Sequence, residues 1–165
     1  MASDLYAQDF IAWTEQQARL LREAGARGTN LPLDWENLAE EVEGVGRSEQ
    51  RELASQLRRV MLHLLKLDFS PAVDPRAGWR ETVREARAAI DGLLRSDPGL
   101  RPRLCGLIAD EAPTAVRLAA EALRDYGEDA SGIIERGRRG SIYSEAQVLD
   151  DWFPERPDMP PLRRA

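Results

Sequence analysis

The chain has 165 residues, of which 42% are hydrophobic and 32% charged, with a formal net charge of −6. That length suits a single domain able to bury a core, and the balance excludes the disordered class; Ala, Leu, Arg and Glu dominate while β-branched and aromatic residues are sparse, so an all-α fold is expected. The negative charge works against bulk attraction to nucleic acid or anionic lipid, although it leaves room for a local basic patch.

A first amphipathic helix is expected from about Leu5 to Ala24, with Ser3 as N-cap and Tyr6, Phe10, Trp13, Leu20, Leu21 and Ala24 as its buried stripe. Asp4 and Asp9 occupy the stretch where a secretory signal carries basic residues. Gly25 to Pro32 reads as a loop. Asp34 is a natural N-cap for a second helix, with Glu36 in its first turn. Leu38, Val42, Val45, Leu53, Val60, Leu64 and Leu67 keep one helical phase through Gly44 and Gly46. The spacing therefore predicts one long helix to about Asp68, with a kink or hinge at the glycines as the alternative. Its run Val60 to Leu67, broken by His63 and Lys66, is the longest apolar stretch and falls far short of the ~20 residues of a membrane span.

A third helix is predicted from about Arg76 to Arg95, burying Trp79, Val83, Ala86, Ile90, Leu93 and Leu94. Ser96, Asp97 and Pro98 read as an N-cap followed by proline at the first helical position. The fourth helix, to about Tyr126, should bury Leu100, Leu104, Leu107, Ile108, Ala115, Ala119 and Leu123, with a kink or break at Pro113. Cys105, the single cysteine, cannot form an intramolecular disulfide, which points to a reducing compartment and a cytoplasmic location. Its apolar neighbours predict a buried, inert thiol. Residues 127–142, rich in glycine and serine, read as a mobile loop with at most a helical turn near Ile133. Ser144 and Gln147 have capping-box spacing, and Tyr143 and Val148 staple spacing, so a short helix is expected from Glu145 to about Asp151. Trp152 and Phe153 should dock it, and residues 154–165 form a proline-rich tail. The expected architecture is a mostly antiparallel bundle of four main helices plus a short C-terminal helix, in one domain over residues 1–165.

The string NLAEEVEGVGRSEQRELASQLRRVMLHLLK, from Asn37 to Lys66, is the most distinctive part of the chain. Around it stand, in order, LYAQDFIAWTEQQARLLR from Leu5, WRETVREAR from Trp79 and IYSEAQVLDDWFP from Ile142. Together these segments resemble the bacterial family known as domain of unknown function 29, over nearly the whole chain. The resemblance implies a helical bacterial protein with one compact domain, and it implies no activity. Pro113 departs from the pattern, because an aromatic residue is expected there in the fourth helix.

Three constellations could carry chemistry. Glu49, Gln56 and His63, spaced by seven, fall in the apolar sector of the second helix. They read as buried polar residues partnered from another helix, or as a functional base or ligand. A buried carboxylate must find a donor or take up a proton, so Glu49 or His63 is expected to contact an arginine, a tryptophan N–H or a backbone group of another helix. The acidic group Glu36, Glu40, Glu41 and Glu43 reads as a solvated face. Di-iron bundles use Glu-x-x-His, and Val60 stands three residues before the single histidine, so no metal and no cofactor is expected. Arg76, Arg80, Arg84 and Arg87 share one side of the third helix. They could meet phosphate or nucleic acid, but Glu81 and Glu85 stand ready to pair with Arg84 and Arg80.

No P-loop, dinucleotide fingerprint, GxSxG or Cys–His pair is present, so no catalytic residue is assigned. The expectation is a non-enzymatic interaction or regulatory module with a protein partner or self-association and no membrane contact. A small-molecule site around His63, Glu49 and an arginine is the first alternative, its ligand open, and an arginine-mediated nucleic-acid binder, less favoured, is the second.

Overall fold

The structure, a computed structural model, describes residues 2–28, 30–140 and 142–155, with side chains from residue 4 onward. The described residues form helices and no strand: α1 (Ala2–Gln8), α2 (Phe10–Ala26), α3 (Trp35–Phe69), α4 (Arg76–Ser96), a 3-10 helix (Pro98–Arg103), α5 (Leu104–Asp125), α6 (Ser131–Arg138) and α7 (Glu145–Leu149). The all-α expectation holds. Among the described residues no helix is long and apolar enough to cross a membrane. The chain divides into two compact units. One comprises residues up to Leu53 with Asp91–Arg103, and the other Ala54–Ile90 with residues from Leu104 onward.

In the first unit, the expected single helix from Leu5 is two. Asp9 leaves helical geometry at φ −150° and ψ 88°, and its carboxylate accepts from Ala12 N–H at 2.8 Å, capping α2. A short acidic side chain that bonds its own backbone competes with helix continuation, and here it wins for one residue. α1 begins at Ala2, so Ser3 lies inside it rather than at its cap; the Ser3 side chain is outside the described residues. The buried face of α2 is Ile11, Thr14 and Ala18. Tyr6, Phe10 and Trp13, expected inside, instead pack on one another with ring centroids 4.8–5.8 Å apart, and Tyr6 stays exposed. Mutual edge and stacked contacts shield these rings without burying them in the core.

α3 runs unbroken through Gly44 and Gly46 over 35 residues, as the apolar phase predicts. Asp34 caps it, accepting from Asn37 N–H at 3.2 Å. Its buried face, however, begins at Ala39, Gly46 and Leu53, while Leu38 and Val45 are 40% and 50% exposed. The reason is a close crossing. A Cβ on Gly46 would stand 2.3 Å from Thr14 Oγ1 and 3.5 Å from Ile11 Cα, so only glycine lets α2 approach there. Small residues thus set the contact, and the larger apolar ones fall one position outside it.

Asp97 is buried and accepts from Gly99 N–H at 2.9 Å and from Phe10 N–H at 3.2 Å. The expected cap therefore forms, but it opens the 3-10 helix rather than an α-helix. Pro102 lacks the N–H that would bond the Pro98 carbonyl in an α-helix, and the α-helix starts only at Leu104.

In the second unit, Leu57, Val60, Met61, Leu64, Leu65 and Leu67 of α3 are buried together with Val83, Ala86 and Ile90 of α4. α5 buries Leu104, Leu107, Ile108, Ala115, Ala119 and Leu123 as expected, and packs against α6 and α7. It passes through the exposed Pro113 without a break. The expected loop at 127–142 contains α6, with Ile133 fully buried. Its glycines are packing devices: a Cβ on Gly137 would meet Val116 at 2.8 Å, and one on Gly132 would meet Phe69 at 2.7 Å. At α7 the capping box is complete and Tyr143 and Val148 are both buried. The expected tail lies outside the described residues beyond Glu155.

Candidate functional site

A groove of about 800 Å³ opens within the second unit. One wall is a face of α5 carrying Cys105, Ile108, Ala109, Ala112, Pro113 and Val116. From Cys105 to Val116 the helix rises about 16 Å, or three turns. The opposite wall is Ile134, Gly137 and Arg138 of α6, followed by Gly140, Ile142 and Tyr143, with Ser144 and Glu145 at the start of α7. Most of the lining is apolar; Arg138 and Glu145 are exposed charges of opposite sign on it.

Each wall has a local cause. Leu104, Leu107 and Ile108 turn into the core, which rotates Cys105 outward. The expected buried thiol is therefore an exposed one on the groove wall. Pro113 has no N–H, so the Ala109 carbonyl, on the same wall, cannot receive the helical bond from residue 113. Tyr143 is held from beneath. Its hydroxyl donates to Asp68 Oδ2 at 3.2 Å, and its ring lies 5.3 Å from the Arg136 guanidinium and 5.8 Å from Trp152. Arg136 also donates to the Ile142 carbonyl at 3.2 Å and sits 3.9 Å from Asp68 Oδ2. Burial, then the Asp68 carboxylate, push the Tyr143 hydroxyl far above the usual phenol range, so it stays neutral and acts as a rigid wall rather than as an acid or base. The lining holds a thiol, hydroxyls, a guanidinium and a carboxylate, with no imidazole to activate Cys105.

The residues singled out from sequence lie elsewhere. Glu49 belongs to the first unit, and Gln56 and His63 to the second. Glu49 is half-buried and, among the described residues, makes no hydrogen bond or ion pair; burial and then the Asp97 carboxylate raise its carboxyl above the usual range. His63 is half-buried and its Nδ1 lies 2.9 Å from the Arg59 carbonyl one turn back in its own helix. A carbonyl only accepts, so Nδ1 carries the proton there, and burial lowers the imidazole below its ordinary value. The expected contact of Glu49 or His63 with another helix is thus absent among the described residues. Gln56 is half-buried on the same helix.

The acidic group is partly paired rather than simply solvated. Arg22 of α2 meets Glu36 and Glu43, each at 3.0 Å, and Glu43 also meets Arg47 at 3.3 Å. The Arg22 hydrogen bond holds the Glu43 carboxyl below its usual range. Glu40 and Glu41 are exposed. Among the described residues no group of three or more His, Cys, Asp or Glu side chains could hold a metal ion.

The arginine row does converge, but on backbone and an aromatic ring. Arg76 donates to the Leu67 carbonyl at 2.7 Å and the Ser70 carbonyl at 3.3 Å, closing the end of α3. Arg87 donates to the carbonyls of Gln147 at 2.8 Å, Val148 at 2.9 Å and Trp152 at 2.8 Å. The guanidiniums of Arg80, Arg84 and Arg87 lie 4.6, 5.4 and 5.0 Å from the Phe153 ring centroid. The expected pairing of Arg80 and Arg84 with Glu85 and Glu81 is absent among the described residues. Arg87 meets the α7 carbonyls with its planar fork, while Arg80 and Arg84 lie beside the Phe153 ring.

Sequence reasoning missed the groove. Its signals were present in Pro113, Gly137 and Gly140, but a proline and glycines read only as a break and a loop until α6 is laid against α5.

Fold and site together define an all-helical protein with a mostly apolar groove. The chain belongs to the family described as domain of unknown function DUF29, whose pattern matches residues 5–153. It is similar to the crystal structure of an alpha-helical protein of unknown function from Rhodospirillum rubrum, at 28% identity over 90% of each chain with a TM-score of 0.68. No curated protein matches the chain.

Proposed function

We propose that the chain is a non-enzymatic interaction module whose working surface is the groove between α5 and α6, and that it takes an apolar helical segment of a partner protein. The observation that carries this reading is the shape of the lining. An apolar wall follows α5 for about three turns, which fits the i, i+4, i+7 side chains of an amphipathic helix. Arg138 and Glu145 supply a polar rim of both signs. A reacting centre has less support, because the one thiol on the wall has no base beside it.

Cys105 gives a direct test, because it is exposed, lines the groove and is the single cysteine. A photo-crosslinker attached there should join one protein stoichiometrically in cells of origin. Ala109→Glu, an exposed position on the same wall, should abolish the adduct. Adducts that persist in the variant, or none in the parent, refute the reading.

Self-association is a second reading. Leu38 and Val45, one heptad apart on α3, are exposed. Sedimentation of the chain and of Val45→Glu decides it: a dimer in the parent that dissociates in the variant supports it, and a monomer in both ends it.

A further inference from the structure

Three positive charges converge in the second unit at a place where no described carboxylate comes within ion-pair distance of them. Arg80, Arg84 and Arg87 sit at spacings of four and three on one side of α4, and all three guanidiniums lie within 5.4 Å of the Phe153 ring centroid. None of them forms an ion pair among the described residues, in a chain whose net charge is −6. Asp150 and Asp151 act on Arg87 only at longer range, and Arg84 repels it. Nη1 of Arg87 is buried and has no acceptor among the described residues, although Nε and Nη2 are both used. An unmet buried donor is costly, and like charges held this close favour a counter-ion.

The aromatic ring makes the cluster usable. A guanidinium whose carbon rests over a ring keeps its in-plane N–H donors available for an oxyanion. Arg84 is exposed and Arg80 half-exposed, so the cluster can be reached from solvent.

We propose that Arg80, Arg84 and Arg87, organised around Phe153, form a binding site for a phosphate dianion. Charge complementarity selects the ligand: three guanidiniums match two negative charges with several acceptor oxygens better than they match a single carboxylate. The phosphate can arrive as the free ion or as the terminal group of a phosphomonoester. The site is independent of the groove and stands whether or not the groove takes a helix.

Calorimetric titration of the full chain, at constant ionic strength set with sodium chloride, tests it with inorganic phosphate and with phenyl phosphate. Saturable binding of at least one is expected. Arg84→Gln, at an exposed position, should raise the dissociation constant on the order of tenfold by removing one charge-assisted contact, with the helical circular dichroism unchanged. Arg80→Gln should do the same and serves as the second variant. Tighter binding of phenyl phosphate supports a phosphomonoester source, and tighter binding of inorganic phosphate supports the free ion. No saturable binding of either, or equal affinity in parent and both variants, overturns the proposal. A short duplex DNA that binds more tightly than phosphate, competes with it and is lost in Arg84→Gln overturns it in favour of a nucleic-acid face.

Discussion

Replacing Arg87 should release the C-terminal segment from α4. This side chain makes three hydrogen bonds of 2.8–2.9 Å to the carbonyls of Gln147, Val148 and Trp152, and also packs on Phe153. Hydrogen bonds from a charged donor contribute about 1.5–3 kcal/mol each when the acceptor stays buried. The carbonyls of α7 lie at a helix end and Trp152 is half-buried, so water recovers part of that once the segment loosens. A net loss of about 2–4 kcal/mol is expected for Arg87→Ala. Arg87→Lys should retain less than half of the contribution, because a single ammonium cannot span three carbonyls as a planar fork does. The assay is urea unfolding followed by far-UV circular dichroism, together with Trp152 emission taken as the difference between parent and Trp152→Phe. The emission should shift to the red in Arg87→Ala before global unfolding. Both variants within about 0.5 kcal/mol of the parent, with Trp152 emission unmoved, would show that the clamp does not hold the segment.

Gly46→Ala should destabilise by about 1–3 kcal/mol, because its Cβ would meet the β-branched Thr14, whose hydroxyl already donates to the Ile11 carbonyl at 2.7 Å. Gly44→Ala, whose Cβ would meet only Arg47 Nη2 at 3.9 Å, should stabilise by up to about 1 kcal/mol, and equal chemical-denaturation midpoints for the two variants would contradict the crossing. Pro113→Ala restores a donor to the Ala109 carbonyl at an exposed position of α5 and should stabilise by about 1–3 kcal/mol; a lower melting temperature would show that the ring itself packs. Burial lowers His63, so the unfolded chain takes up its proton first as pH falls through about 6.5. Stability should therefore drop as pH falls below neutrality, more steeply in the parent than in His63→Gln, and identical pH profiles would show that His63 is not desolvated.

The buried face of α5 and the start of α7 were legible because their causes are local, whereas α6 was read as a loop. α5 buries the residues that its periodicity predicts, and α7 is fixed by Ser144 and Gln147 bonding within one turn. The site was not legible, because its parts are ordinary one at a time. Pro113 is a helix breaker in isolation, yet α5 continues through it because its ring sits on the exposed face and the rest of the helix is held by buried Leu107, Ile108, Ala112 and Ala115. Cys105 has apolar neighbours in sequence, but at 100° per residue those neighbours turn away from it.

The sequence by itself determined the all-α class and the caps at Asp34, Asp97 and Ser144, since each cap depends on groups within a few residues of one another, whereas it left a hinge at Gly44 and Gly46 open that α3 does not have. Only the tertiary structure decided which face of each helix is buried, where the arginines find acceptors and where the groove opens. Gly46 against Thr14 rotates the contact away from Leu38 and Val45, and Gly137 against Val116 lays α6 on α5. Periodicity marks an apolar face to within a residue or so, whereas close packing at small side chains chooses among neighbouring positions by steric fit, and that fit exists only when both partners are present.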